Sequence, residues 1–242
     1  MIVLCTDFGL EGPYTGQVKA VLARAAPAVP VVDLFADLPP FRPQAAAYLL
    51  AAYGEVFVLG DVILTVVDPG VGGARAALAL EADGRWYVGP DNGVFELVLR
   101  RAKATRCWRI AWRPSVLSAT FHGRDLFAPV AASLARGEAP RGKEAPPTRY
   151  PDWPDDLAEI VYVDRYGNAM TGLRATMLPA GTELEVAGRR IARARTFSDA
   201  PPGGLLWYAN ANGLAEIAAH GASAAARLGL APGSQITVHP PG

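Results

Sequence analysis

The apolar positions of the chain fall into short runs that end abruptly on acidic turns. Ile63 to Val67 is a β-branched, apolar run with no solvated face, the pattern of a strand buried on both sides in a parallel sheet. It stops at Asp68-Pro69, where Pro69 lacks an N–H for the ladder and Gly70, Gly72 and Gly73 can take positive φ. Ile2 to Cys5 repeats the arrangement, ending in Thr6-Asp7-Phe8-Gly9, and Val29 to Phe35 reads as another buried strand. Between these runs, Val18, Val21 and Leu22 recur at helical spacing, and a second helix begins near Pro43, runs through AAAYLLAAY and stops at Gly54. The order β-α-β-α-β predicts a parallel, helix-covered sheet.

Beyond Arg75, Ala76 to Glu81 and Trp86 to Val88 read as strands joined by the turn 82–85. Gly89-Pro90-Asp91-Asn92-Gly93 is a third acidic glycine turn, followed by a helix over 94–102 and a short strand at 108–111. An apolar helix, LFAPVAASLARG, follows Phe121-His122-Gly123-Arg124-Asp125, with Asp125 placed to cap it. Residues 137–155 are rich in Pro and charge, so a domain boundary is expected there: an N-terminal α/β domain over 1–140, a linker over 141–155 and a smaller domain over 156–242. In the last segment Ile160–Val163, Glu183–Val186, Arg190–Ala194 and Gln235–Val238 are strand candidates between turns, which predicts a small antiparallel, barrel-like or sandwich domain.

Composition narrows the partners. Half of the 242 residues are apolar (51%) and the net charge is zero, which leaves no electrostatic footprint for nucleic acid or an acidic membrane surface. Cys5 and Cys107 have neither disulfide-framework nor metal-site spacing and fit small core residues in a reducing compartment. With no signal peptide or transmembrane run, a cytoplasmic protein is expected.

Three acidic glycine turns are the candidate chemistry. A carboxylate at the carboxyl end of a buried strand, followed by glycines and Arg75, suits a ligand site in an open α/β sheet, and suits a plain Asp–Arg ion pair equally. No GxxxxGK[ST] is present, and no GxGxxG opens a helix. A metal cluster of Asp7, Asp68, Asp91, His122 and Asp125 is disfavoured, because His122 has no paired His or Cys at ligand spacing. No serine sits in a nucleophile elbow, and His220 and His239 read as turn or surface residues.

TDFG at 6–9, VVDPGVG with Arg75, PDNG at 90–93, FHGRD at 121–125, VDRYGN at 163–168 and NANGLAEIAAHG at 210–221 stand in one order and spacing. Together they resemble the S-adenosyl-L-methionine hydrolases (adenosine-forming), or SAM hydroxide adenosyltransferases, relatives of fluorinase and chlorinase. The resemblance spans nearly the whole chain. It implies an α/β N-terminal domain, a β-rich C-terminal domain, and a homotrimer with sites between one subunit's N-domain and its neighbour's C-domain. It further implies hydrolysis of S-adenosyl-L-methionine by water at ribose C5′, without metal or organic cofactor.

Carried over position by position, Asp68, Arg75 and His122 match the family's water-handling triad. Asp7 matches the carboxylate on the ribose hydroxyls, Asp164 a contact to the methionine amino group, and Asn168 an adenine contact. Phe41, Tyr166 and Trp207 are candidate walls, and Gly123 and Asn210 complete the substrate-binding set. Halogenating relatives carry Tyr in place of Asp68 and Tyr-Ser in place of His122-Gly123, and a carboxylate at 68 disfavours a halide. Two departures stand out: where many members carry an acidic residue after TDFG this chain reads Glu11-Gly12-Pro13, and Asn212 stands where halogenases place a carboxylate-binding Arg. The alternatives are a non-catalytic SAM- or adenosine-binding protein, a SAM-dependent halogenase and a metal-dependent phosphohydrolase.

Overall fold

A computed structural model describes residues 1–241. The chain forms two compact units, Met1–Tyr150 and Pro151 onward.

In the first unit, strands β1 (Ile2–Thr6), β2 (Val31–Phe35), β3 (Val62–Val66), β4 (Ala77–Ala82), β5 (Arg85–Pro90), β6 (Thr105–Ile110) and β7 (Gly142–Glu144) form one sheet in the order β2-β1-β3-β5-β4-β6-β7. Helices α1 (Tyr14–Ala25), α2 (Pro43–Tyr53), α3 (Glu96–Arg101) and α4 (Ala128–Ala135) accompany it. The sheet is mixed, not parallel throughout: β2, β1, β3 and β5 are parallel, whereas β4, β6 and β7 run against their neighbours. The two-residue turn Asp83-Gly84, with φ of 48° and 76°, causes this by folding β5 back between β4 and β3.

β3 is buried along its whole length, as its sequence predicts, and so is β1. Ile2, Leu4, Val62, Leu64 and Val66 pack on α1 and α4 through Val18, Leu22, Val130, Ala131 and Leu134. β2 departs from expectation: it is the sheet edge, and Val32 and Asp33 are exposed. Both cysteines are free and buried, and burial pushes their thiols up to about 12 (Cys5) and about 11 (Cys107). The stretch read as linker is partly built into this unit, because β7 pairs with β6 and Thr148 to Tyr150 are tied down by Asp91 and Glu96.

In the second unit, β8 (Leu157–Val163), β9 (Ala169–Arg174), β12 (Leu205–Ala209) and β13 (Leu214–Ala219) form an antiparallel sheet in the order β12-β13-β9-β8. The strands β10 (Glu183–Val186), β11 (Arg189–Ile191) and β14 (Thr237–His239) form a second one, ordered β11-β10-β14. No closed barrel is found among the described residues; both sheets are open and share one core, where Leu184, Val186 and Ile191 meet Trp207, Ile217 and Ile160. Helix α5 (Ala224–Leu228) is capped by Ser223, whose Oγ accepts the Ala226 N–H at 3.0 Å, and ends at Gly229 in the left-handed region. No helix among the described residues is long and apolar enough to cross a membrane.

Candidate active site

The strand order places β2 and β3 on opposite sides of β1, so the carboxyl ends of β1 and β3 border a topological switch point, where ligands bind in open α/β sheets. Thr6 pairs with Val66, and the Asp7 N–H donates to Val66 O at 3.3 Å, so Asp7 and Asp68 leave adjacent strands together. After Asp68 the chain reverses: Val71 N–H donates to Asp68 O at 3.2 Å and Gly73 N–H to Gly70 O at 3.0 Å, with Gly72 at φ 78°. The reversal returns Arg75 to Asp68. Its Nε donates to Asp68 Oδ1 at 2.9 Å and its Nη2 to Asp68 Oδ2, while its guanidinium lies 5.1 Å from the centre of the Phe127 ring. The Asp68 side chain is only 4% exposed.

His122 closes the array, with Nδ1 at 3.0 Å from Arg75 Nη2. It stands immediately before a π-helical turn, Gly123–Phe127, that leads into α4. Asp125 does not cap that helix; its carboxylate accepts from Arg124 Nε at 2.6 Å and from the Ser118 N–H at 2.9 Å. Arg124 also donates to Gln17 Oε1 at 2.7 Å and lies over Phe121. FHGRD therefore fixes the backbone around His122 through a clamp made by its last two residues.

Asp7, Asp68, His122 and Gly123 line a cavity of about 170 Å³, with Phe8, Phe41 and Phe121 among its walls. Phe41 is 77% exposed and holds φ of 62°, a left-handed conformation rare for a bulky residue. Burial raises the Asp7 carboxyl above its ordinary value, opposed by the backbone N–H groups of Phe41 and Asp7, and the Asp68 charge adds to the rise. Burial, then the Arg75 charge, lowers the His122 imidazole.

The second unit holds a pocket of about 630 Å³ lined by Asp164, Tyr166, Asn168, Tyr208 and Glu216 among others. Asp164 Oδ1 accepts the N–H groups of Tyr166 (2.8 Å) and Asn168 (2.9 Å), and Oδ2 accepts Asn168 Nδ2 at 2.9 Å. Gly167, at φ 82°, is required here, since a Cβ would run into the Ser223 side chain. Two sequence-predicted residues lie elsewhere. Trp207 is fully buried in the core with Nε1 on Thr182 O at 3.0 Å, so it walls neither pocket. Asn210 braces its own turn, its Oδ1 accepting the N–H groups of Asn212 and Leu214 at 3.0 Å each and its Nδ2 donating to Glu216 at 2.9 Å. Glu216 and Tyr208 have no counterpart among the residues predicted from sequence.

The third acidic turn serves structure. Asp91 accepts the Thr148 N–H and hydroxyl, each at 2.9 Å, and Asn92 Nδ2 donates to Val67 O at 2.8 Å. Among the described residues no group of three or more His, Cys, Asp or Glu gathers as a metal-holding cluster. A larger hollow of about 840 Å³, lined by Arg190, Arg193 and Arg195 with Glu183 and His239, holds none of the predicted site residues.

Two family models match the chain: the SAM hydroxide adenosyltransferase N-terminal domain over residues 2–143 and the C-terminal domain over 158–237. The chain belongs to the SAM hydroxide adenosyltransferase family. It is 42% identical to an (R)-S-adenosyl-L-methionine hydrolase of Thermus thermophilus, over 97% of this chain and 98% of that one. It is 40% identical to an (R)-S-adenosyl-L-methionine hydrolase of Salinispora arenicola, over 98% and 97%. An uncharacterised conserved protein from Thermotoga maritima superposes with a TM-score of 0.88 at 30% identity, covering 98% of this chain and 99% of its own. A fluorinase of Nocardia brasiliensis is more distant, at 22% identity over 98% and 96%. Both the α/β half and the β-rich half of the chain thus fall within family-model matches.

Proposed function

We propose that the protein hydrolyses S-adenosyl-L-methionine to adenosine and L-methionine, and that Asp68, Arg75 and His122 handle the attacking water. The observation that carries this is the Asp68–Arg75–His122 array, bonded in series beside the cavity at the ends of β1 and β3. The hydrolase relatives at 40–42% identity support the substrate, and their names specify the (R) epimer, which we take as the epimer used here.

In the proposed reaction a water oxygen attacks ribose C5′ in line with the sulfonium. The C5′–S bond breaks with its electron pair going to sulfur, so methionine leaves as a neutral thioether and needs no acid. The water's proton passes to Asp68 and then to solvent. Arg75 holds both Asp68 oxygens, so the carboxylate cannot rotate, and holding reactants in one geometry is a large share of such a rate enhancement. His122 accepts at Nδ1 from Arg75 and therefore carries its proton on Nε2, which makes it a donor that orients water. Asp7 is suited to the ribose diol, as an acceptor with two oxygens. Gly123 and Phe41 wall the nucleoside, Asn168 and Tyr166 meet adenine, and Asp164 meets the methionine end.

A halide nucleophile is disfavoured, because the negative Asp68 lines the cavity and would repel it. No metal or organic cofactor enters this scheme. We further propose a homotrimer in the cytoplasm, with the N-terminal pocket of one subunit completed by a neighbour's C-terminal unit. Phe41, a large apolar side chain that lines the first pocket and is exposed, supports such cover.

Incubation of the purified protein with each sulfonium epimer in chloride, followed by separation of the nucleosides, tests the reading. Adenosine with stoichiometric methionine is expected. Formation of 5′-chloro-5′-deoxyadenosine would make it a halogenase, and tight binding without turnover would make it a ligand-binding protein.

A further inference from the structure

The pocket of the second unit is lined by two carboxylates, and none of its lining residues is a Lys, Arg or His. A carboxylate offers about four lone-pair positions. Asp164 uses three of them within its own turn, on the N–H groups of Tyr166 and Asn168 and on Asn168 Nδ2, so it organises the turn and keeps little capacity for a ligand.

Glu216 is differently placed. It lies in the middle of β13, 3% exposed, directly opposite Tyr208 of β12, and both residues line the pocket. One oxygen accepts from the Tyr208 hydroxyl and the other from Asn210 Nδ2 at 2.9 Å, so each oxygen keeps a free position. Neither donor can turn away. The Tyr208 ring packs on Phe197 with centroids 5.1 Å apart, and Asn210 is locked by the two N–H groups on its Oδ1. The result is a rigid, buried carboxylate with two neutral donors and, among the described residues, no basic partner that any contact records. Burial and the Asp164 charge push its protonation upward, the mark of a negative charge lacking a counter-ion. A ligand cation arriving there would supply it.

We propose that Glu216 is a further substrate-binding residue, accepting hydrogen bonds from a primary ammonium of the ligand and so selecting an amino-acid-bearing nucleoside over a neutral one. This rests on the S-adenosyl-L-methionine reading and names the group that would recognise the methionine end. The three N–H donors of an ammonium exceed what Asp164 can accept, and Glu216 provides the remainder.

The test uses unreactive ligands, measured by calorimetry on the whole protein: S-adenosylhomocysteine, which has the ammonium without the sulfonium; its analogue lacking only the amino group; and adenosine. For wild-type protein the analogue should bind about 10- to 100-fold more weakly than S-adenosylhomocysteine, the range of one or two charge-assisted hydrogen bonds. In Glu216→Gln, S-adenosylhomocysteine should fall to the affinity of the analogue, while adenosine stays within about 3-fold. Tyr208→Phe, which keeps the charge and removes one brace, should retain most of the preference. Equal affinity of wild type for S-adenosylhomocysteine and its analogue would overturn the proposal without any variant. So would a Glu216→Gln loss shared by adenosine, or a Tyr208→Phe loss as selective as that of Glu216→Gln. Wild type that shows the ammonium preference yet converts no S-adenosyl-L-methionine would sink the hydrolase reading and leave the Glu216 assignment standing.

Discussion

Arg75 Nη2 lies 3.0 Å from His122 Nδ1 while the same guanidinium grips Asp68. An arginine can only donate, so this contact exists only when Nδ1 presents its lone pair. In the proposed mechanism this leaves proton acceptance to Asp68 and gives His122 the role of donor. Both depend on His122 being neutral, the form that burial and the neighbouring Arg75 charge favour.

The first prediction is a pH profile. The folded-state pKa of His122 lies below its ordinary value of 6.5, so kcat/KM should show no His122 limb between pH 8 and about 6.5 and should break only in more acidic solution. The linkage has the same sign: below 6.5 the unfolded chain takes up this proton before the folded one does, so His122 makes folding less favourable as pH falls. An acid limb assigned to His122 at or above 6.5 would reverse the donor assignment.

A second prediction follows from the charge of Arg75. Arg75→Gln removes the nearest cation from His122, so the imidazole should titrate at higher pH than in the wild type, read as the ring-proton shift by NMR. Turnover should also fall, because Asp68 loses the fork that fixes both its oxygens. An unmoved His122 titration would mean that Arg75 serves Asp68 alone.

A third prediction concerns Gly123. A Cβ there would meet Phe8 Cζ at 3.0 Å, Phe121 Cε2 at 3.4 Å and Val66 Cγ1 at 3.6 Å, on the wall of the 170 Å³ cavity. Gly123→Ser must therefore displace the Phe8 ring, which packs edge-on to Phe121 at 5.6 Å. Hydrolysis should drop by about 10-fold or more through mispositioned substrate, since small displacements near reacting atoms are costly. No halide product should appear, because Asp68 is still present. Chloride-dependent 5′-chloro-5′-deoxyadenosine from this variant alone would contradict the assignment of nucleophile choice to Asp68.

The tie between α3 and residues 149–150 can be tested separately from the chemistry. Glu96 is 1% exposed and accepts from Arg100 Nε at 2.8 Å, Arg149 Nε at 2.9 Å and the Tyr150 N–H at 3.1 Å. Burial raises its carboxyl, but the hydrogen bonds from Arg149 and Arg100 outweigh that and lower it below 4.5. Glu96→Gln should cost about 2–4 kcal/mol in urea unfolding at pH 7. A lowered folded pKa gives stability that is full above 4.5 and lost as pH falls through the folded value, so the gap between variant and wild type should close in acid. A pH-independent gap would assign the effect to packing.

What the sequence made legible and what it hid divide on a physical line. β1 and β3 are largely apolar runs that end at Asp-bearing glycine turns, so the strands and the placing of Asp7 and Asp68 at their ends could be read from them, whereas the adjacency of the two carboxylates came from the strand order. β13 is LAEIAA, whose alanines and glutamate carry helical propensity, and only its place between β12 and β9 makes it a strand. Without that strand the alternation along β12 is invisible. Trp207 then reads as a pocket wall although it faces the core, while Tyr208, one residue on, faces the pocket. Glu216 was hidden for the same reason: nothing local distinguishes a buried carboxylate from a solvated one.

The last prediction turns on Asp68. Asn in its place keeps the volume and removes the charge, leaving an amide that cannot take the water's proton. It would also turn an N–H₂ toward either Arg75 Nε or Nη2, both of which are donors, so one of the two bonds to Arg75 is lost. Substrate contacts assigned to Asp7, Asn168 and Glu216 lie on other elements and stay intact. The expected split is therefore a nearly unchanged dissociation constant with turnover lower by about 10²- to 10⁴-fold, the usual range for losing a positioned general base. Single-turnover adenosine formation at saturating S-adenosyl-L-methionine isolates that step from binding and product release. A rate equal to that of the wild type would reduce Asp68 to the structural end of β3, and the base assignment would then pass to another group at the cavity wall, with Asp7 the remaining carboxylate there.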